Sequence, residues 1–269
     1  MIESLLWDGL EGPSMLSDRR TIGESQFEEY LDSMKYAYEF EKEFRGKLKR
    51  PDYTVTKDGT VVICDVKDFS PLFPEPHGIQ QFDPYKRIRA RIGDGRKKFK
   101  EFKEFPCCVV MQNNQNFFVL SEKPEIVLGA MYGDAGFTVP VYLGNGPPPK
   151  PPPAVQQAFL GGGKMIRGND ISNTTISALL TIRRVPVGLN RLKEIWKEFP
   201  HVTVTESREI AAQQFPNFDA DETCLGVIVW ENAVARIPLS RDFFNGPFDE
   251  RWGVEGEQQT VTFHGDGLD

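Results

Sequence analysis

The stretch RPDYTVTKDGTVVICDVKDF, residues 50–69, decides how the rest of the chain is read. Its centre, Asp58-Gly59, is a two-residue turn signal between two apolar runs and predicts a β-hairpin. With those two residues as the turn, Lys57 faces Thr60, Val55 faces Val62 and Tyr53 faces Cys64. One further step sets Asp52 against Asp65. Directly opposed residues have Cβ atoms ~4.5–5.5 Å apart, and like charges placed so destabilise a sheet. A fold tolerates such a pair if one carboxyl is protonated or if a cation sits between them. A hard divalent cation such as Mg²⁺ uses one or two carboxylates plus waters and substrate phosphate.

Strand alternation adds a third group. Asp65 and Lys67 are two apart and leave the same face, shared with Val61 and Ile63, while Val66 points the other way. Two carboxylates and an ammonium therefore converge at the rim of the sheet. A lysine beside a bound metal can orient or deprotonate an attacking water, or neutralise developing phosphoryl charge. Asp58 belongs to the turn, and Asp68 is read as solvent-exposed.

Outward from the hairpin, residues 1–22 read as an irregular arm. Phe27, Tyr30, Leu31, Met34, Tyr38 and Phe44 recur at roughly helical spacing, which predicts one helix over 23–44, ended by Gly46 and Pro51. After a proline-containing loop over 70–82, Asp83 and Pro84 read as the cap and first residue of a second helix. Tyr85, Ile88, Ile92, Phe99 and Phe102 stripe it as far as about Phe105, and Gly93 and Gly95 are candidates for a kink. CCVVMQ and FFVL are the next strand candidates. GNGPPPKPPP, 144–153, reads as a stiff polyproline surface loop, and FLGGGKMIRGND after it as glycine-rich loop. The GGGK run is not a Walker loop, because Ala158 stands where its first glycine belongs. ISALLTIRRV then predicts a strand, LNRLKEIWKEF a helix, and CLGVIVWENAVARIPL one or two strands.

Pro51-Asp52, followed by an apolar strand ending in Asp65-Val66-Lys67, resembles the PD-(D/E)XK nuclease superfamily, the restriction-endonuclease-like fold. The likeness covers roughly residues 22–122 and implies an α/β domain: a mixed sheet flanked by helices, with additional C-terminal α/β elements. The chain is read as one enlarged domain over 1–269, with 144–172 a Pro/Gly-rich loop and 173–269 an extension completing the fold. By that resemblance Asp52, Asp65 and the carbonyl of Val66 hold Mg²⁺, with Mn²⁺ as substitute, and Lys67 assists the nucleophilic water. A helix acid completes such a site. Glu24, in its Gly23-Glu24 context with Phe27 and Leu31, resembles the Holliday-junction-resolvase branch, and Glu28 is the alternative. Gln81 to Tyr85 is a weak match to a Q-x-x-x-Y motif, interrupted by Pro84. The implied activity is metal-dependent hydrolysis of DNA phosphodiesters, and restriction, repair or defence enters by fold-level analogy alone. The alternatives are an inactive nucleic-acid-binding module on the same fold, or a protein-interaction component of a larger assembly. Many relatives are homodimers.

Between Asp83 and Glu104 stand nine Lys or Arg and four Asp or Glu, the most basic stretch of a chain whose net charge is −7. Lys86, Arg89, Arg96, Lys97 and Lys100 are the candidate phosphate contacts; Arg87, Arg91, Lys98 and Lys103 share the stretch. Phe99, Phe102 and Phe105 fall on the apolar stripe and are assigned to the core. The overall acidity argues against a protein that coats nucleic acid indiscriminately. Apolar residues make up 39% and charged residues 26%, an ordinary soluble balance. No apolar run is long enough to span a membrane and the start lacks a signal-peptide pattern, so a cytoplasmic setting is expected. Cys64, Cys107, Cys108 and Cys224 show no CxxC spacing and read as free thiols. His77, His201 and His264 are scattered and are given no catalytic role.

Overall fold

The computed structural model describes residues 20–71, 82–114, 116, 119–138, 150, 156–167, 170–255 and 260–266. The proline segment apart from residue 150, and His77 and Gln81, lie outside these. The predicted hairpin forms with the predicted register: strand β2 (Tyr53–Lys57) pairs antiparallel with β3 (Thr60–Phe69), Lys57 opposite Thr60 and Tyr53 opposite Cys64. Asp58 and Gly59 have φ of 48° and 78°. Positive φ at both central residues is what a type I′ turn demands, and Asp-Gly supplies it at low cost.

The first helix is shorter than expected. α1 (Ile22–Ser33) opens with a capping box, in which the Thr21 side chain accepts from the Glu24 N–H and Glu24 accepts from the Thr21 N–H. It stops at Ser33; Lys35 takes φ 56°, and the chain turns into strand β1 (Ala37–Phe40), antiparallel to β2. Tyr38 and Phe40 are therefore strand residues. In a run of alternating aromatic and polar residues, periods of two and 3.6 overlap over four residues, so the spacing could not separate them.

α2 (Lys86–Phe99) follows and starts later than expected: Tyr85 is its N-cap, and Asp83, which accepts from the N–H of both Tyr85 and Lys86, holds the turn before it rather than the cap itself. The helix ends at Phe99, not at Phe105, and Phe102 and Phe105 pack from the turns after it. It runs unbroken through Gly93 and Gly95. β4 (Cys107–Asn113) is the CCVVMQ strand and lies parallel to β3. Of the FFVL stretch, Val119 and Leu120 carry no strand, and 117–118 fall outside the described residues.

Next come α3 (Pro124–Tyr132), the hairpin of β5 (Gly133–Thr138) and β6 (Gln156–Gly162), and the short pair β7 (Ile166–Arg167) and β8 (Asp170–Ile171). β9 (Ala178–Val185) returns parallel to β4. α4 (Val187–Glu198), α5 (Val204–Gln214), β10 (Cys224–Glu231), β11 (Glu250–Glu255) and β12 (Thr260–Asp266) complete the order. The result, among the described residues, is an α/β fold with one mixed eight-stranded sheet, β1-β2-β3-β4-β9-β10-β11-β12, and five helices.

Two cores divide along the faces of this sheet. Phe27, Tyr30 and Leu31 of α1 pack on Tyr53, Val62, Cys64, Val66, Cys108 and Val110. Ile88, Ile92 and Phe99 of α2 and Val127, Leu128 and Met131 of α3 pack on Ile63, Phe69, Cys107, Val109 and Met111. The odd residues of β3 thus face α2 and the even ones face α1, as period-two alternation requires. Cys64, Cys107 and Cys108 are buried free thiols, and Cys224 is a half-buried one. No helix among the described residues is long and apolar enough to cross a membrane.

Two glycines on α2 report how tightly that helix sits. A Cβ on Gly95 would lie 2.4 Å from Val109 Cγ2, whereas a Cβ on Gly93 would meet nothing within 4 Å. Gly93→Ala is expected to raise stability by about 0.5–1 kcal/mol through helix propensity. Gly95→Ala is expected to lower it by about 1–3 kcal/mol, because overpacking exceeds the propensity gain. Urea unfolding of the two variants checks the opposite signs.

Candidate active site

Asp52 lies one residue before β2, on the α2 face together with Asp65 and Lys67. Pro51 has no N–H to give to β3, and β2 goes no further. The Asp52 side chain takes over from the backbone: its Oδ2 accepts the Val66 N–H at 2.7 Å. Its other oxygen, Oδ1, accepts from Lys98 Nζ. The same ammonium donates to Asp65 Oδ1 at 2.6 Å. Asp65 Oδ2 lies 2.8 Å from Lys67 Nζ, an ion-pair contact without a directed hydrogen bond.

Asp65 is fully buried; the other three side chains are about one-fifth exposed, Asp52 18%, Lys98 21% and Lys67 22%. Two carboxylates ~5 Å apart at an effective dielectric of ~20 repel by about 3 kcal/mol. Lys98, in contact with both, offsets that repulsion. Burial, followed by the charge of Asp65, pushes the Asp52 carboxyl up to about 6. Burial acts upward on Asp65 too, but Lys98 and Lys67 outweigh it and hold Asp65 below the usual carboxylate value. Burial would lower the Lys98 ammonium, yet Asp65 and Asp52 together raise it. The pair therefore has an easily protonated member at the rim and a persistently ionised member inside.

Lys98 is the residue that the sequence reading did not single out. It follows Gly95 by one turn and precedes buried Phe99, so it lies on the flank of α2 turned toward the sheet. A helical wheel drawn from Ile88, Ile92 and Phe99 carries that signal.

The helix glutamates do not join this group. α1 covers the opposite face of the sheet from Asp65 and Lys67. Glu24 closes the capping box with Thr21. Glu28 accepts from Tyr53 Oη at 2.8 Å and pairs with Arg20 at 2.8 Å. The Val66 N–H donates to Asp52 Oδ2 at 2.7 Å, which sets Val66 at the edge of the group. Asp68 is not simply solvent-exposed: it accepts the Gly23 N–H at 2.8 Å and anchors the start of α1. Tyr85 is a packing residue, its ring beneath Arg89 at 4.7 Å and its hydroxyl accepting from the Ala135 N–H.

Among the basic candidates, Lys86, Arg96, Lys97 and Lys100 are exposed. Arg89 is committed elsewhere: it donates to Asp134 at 2.6 Å and to the Gly129 carbonyl at 3.2 Å, and 15% of its side chain is exposed.

Family models, curated proteins and solved structures were compared with the chain, and none matches.

The donor set suits a hard cation. Two carboxylates converge on one seat, and the buried Asp65 Oδ2 has no directed donor. Among the described residues no group of three His, Cys, Asp or Glu forms, so an ion held here would have two acidic ligands and would need water or other ligands for the rest. A divalent ion there would share its seat with Lys98.

The folded-state rise of Asp52 fixes the sign of its contribution to stability. Stability from this carboxyl is present below its unfolded pKa, near 3.8, and is lost as pH rises through about 6. Asp65 acts below that window, since its stabilisation is lost as pH falls through its lowered value. Asp52→Asn is therefore expected to gain on wild type by on the order of 2 kcal/mol between pH 4 and pH 8. Chemical unfolding at the two pH values tests this, and the carboxyl ¹³C resonance of Asp52 should titrate near 6.

Proposed function

We propose that this protein hydrolyses phosphodiester bonds of DNA with the help of a divalent cation held by Asp52 and Asp65. The observation that carries the reading is the convergence of two acids on a single cation, beside Lys67 and under a basic helix. Such a pair is costly to a fold and has an ordinary use in phosphoryl transfer. The order helix, three strands, helix, parallel strand over 22–113 supports the resemblance to the PD-(D/E)XK nucleases.

In this reading the metal, when bound, polarises a phosphoryl oxygen and lowers the pKa of its water. Asp65, kept ionised, is the constant ligand. Asp52 is a ligand once deprotonated, and its second oxygen is oriented by the Val66 N–H. Lys67 holds the attacking water or balances the charge that builds on phosphorus. Lys98 neutralises the acids in the resting protein and is positioned to accompany substrate phosphate when displaced. Exposed Lys86 and the other surface cations of α2 draw the polyanion in.

A second reading has its own observation. Lys98 already donates to both carboxylates, so the seat can be permanently filled and the fold retained as a binding module. Calorimetric titration with Mn²⁺ separates the two. A hydrolase binds Mn²⁺, loses it in Asp65→Asn, and binds it more tightly in Lys98→Ala, where the competing ammonium is gone. Plasmid, linear and branched DNA with Mg²⁺ or Mn²⁺ should be cleaved by wild type, and about 10²–10⁴-fold more slowly by Lys67→Ala. No Mn²⁺ binding to either wild type or Lys98→Ala would rule the hydrolase out.

A further inference from the structure

A cleft of about 480 Å³ opens on the solvent side of α2, away from the carboxylate pair. One wall is the helix face of Gly93, Arg96, Lys97 and Lys100, spaced as successive turns. The other is Lys164 with Ser172 and Asn173. Within a chain of net charge −7, four cations thus line one groove. Lys97 has a surface partner, Asp94, at 3.3 Å. The side chains of Arg96, Lys100 and Lys164 make no ion pair or hydrogen bond among the described residues.

Cations near a helix C-terminus can serve its dipole and free carbonyls. One of those carbonyls is served from outside α2, where Lys49 Nζ donates to the Lys97 carbonyl at 2.5 Å. Lys164 belongs to no helix. Its loop is fixed firmly nonetheless. The N–H groups of Lys164 and Met165 donate to the carbonyls of Ala130 and Met131 at the end of α3, at 3.2 and 2.7 Å. The Ser172 hydroxyl and the Asn173 amide both donate to the Lys164 carbonyl. Gly163 lies against the Tyr132 backbone so closely that a Cβ would come within 2.3 Å. The second wall is therefore pre-formed, and its ammonium stands opposite the helix cations.

We propose that this cleft seats the sugar–phosphate backbone of a nucleic-acid strand, independently of base sequence. It rests on the nucleic-acid substrate proposed above, and not on hydrolysis. The helix wall from Gly93 to Lys100 is ~10 Å long at ~1.5 Å per residue. Along that length one strand presents about three phosphates at ~3.4 Å of axis each. The lining holds donors and cations and no aromatic ring, so it has phosphate contacts and no stacking platform for bases.

Gly93 offers a test that spares the fold, because a side chain added there enters open space at the cleft. Binding of short labelled oligonucleotides, in chelator so that nothing is cut, is followed by fluorescence anisotropy between about 50 and 200 mM salt. Gly93→Glu and Lys100→Glu should each weaken binding by about tenfold or more, equally for different base sequences, and should lower the slope of log affinity against log salt by about one. Gly93→Ala should bind as wild type does. Unchanged affinity in both Glu variants, strong sequence dependence, or equal displacement by inorganic pyrophosphate at the same phosphate concentration would overturn the assignment. The hydrolase reading is scored apart: Asp65→Asn should bind normally and fail to cut. Loss of cutting in no variant with loss of binding in Gly93→Glu leaves the cleft standing alone. Cutting that needs Asp65, with binding indifferent to Gly93→Glu, leaves the hydrolase standing alone.

Discussion

An ammonium held between two carboxylates ties the second helix to the hairpin. Lys98 comes from α2, Asp52 from the residue just before β2 and Asp65 from the middle of β3. Removing one member of such a buried group leaves an uncompensated charge, at a cost of about 3–5 kcal/mol. Replacing all of it by apolar side chains of similar volume is commonly neutral or stabilising. The group is thus poorly explained as a device for stability, and that imbalance is the reason to look for a chemical use.

The geometry around the three residues follows from two constraints. Asp-Gly at the turn leaves one register for the hairpin, and that register presses the acids together. Gly95 then lets α2 approach Val109 closely enough for Lys98, one turn later, to reach both. The same sheet separates the site from α1. Glu24 and Glu28 serve the cap and the Tyr53 hydroxyl on the far face, and the acidic count at the site stays at two. Under the proposed function, a cation there would depend on water and substrate for its remaining coordination.

Charge is partitioned along α2 as well. Lys98 turns inward to the acids, Arg89 braces α3 and β5, and the outward face carries Arg96, Lys97 and Lys100 toward Lys164. A single basic run therefore sends its side chains in three different directions. Read as a list of positive residues, it looked uniform, because charge alone says nothing about which way each side chain leaves the helix.

The sequence by itself determined the elements whose causes are local. Asp58-Gly59 determined the hairpin and its register, β-branched and cysteine-rich runs determined β3 and β4, and alternation placed Asp65 beside Lys67. Local rules failed where two periods coincide, so that Tyr38 and Phe40 read as helix. They failed again at FFVL, where an apolar run forms no strand over its described residues. Only the tertiary structure decided which face each helix covers. That choice removed Glu24 and Glu28 from the acids, brought Lys98 to them, and joined Lys164 to a helix more than sixty residues earlier in the chain. Such contacts are set by how two cores close on opposite faces of one sheet, and no window of neighbouring residues carries that information.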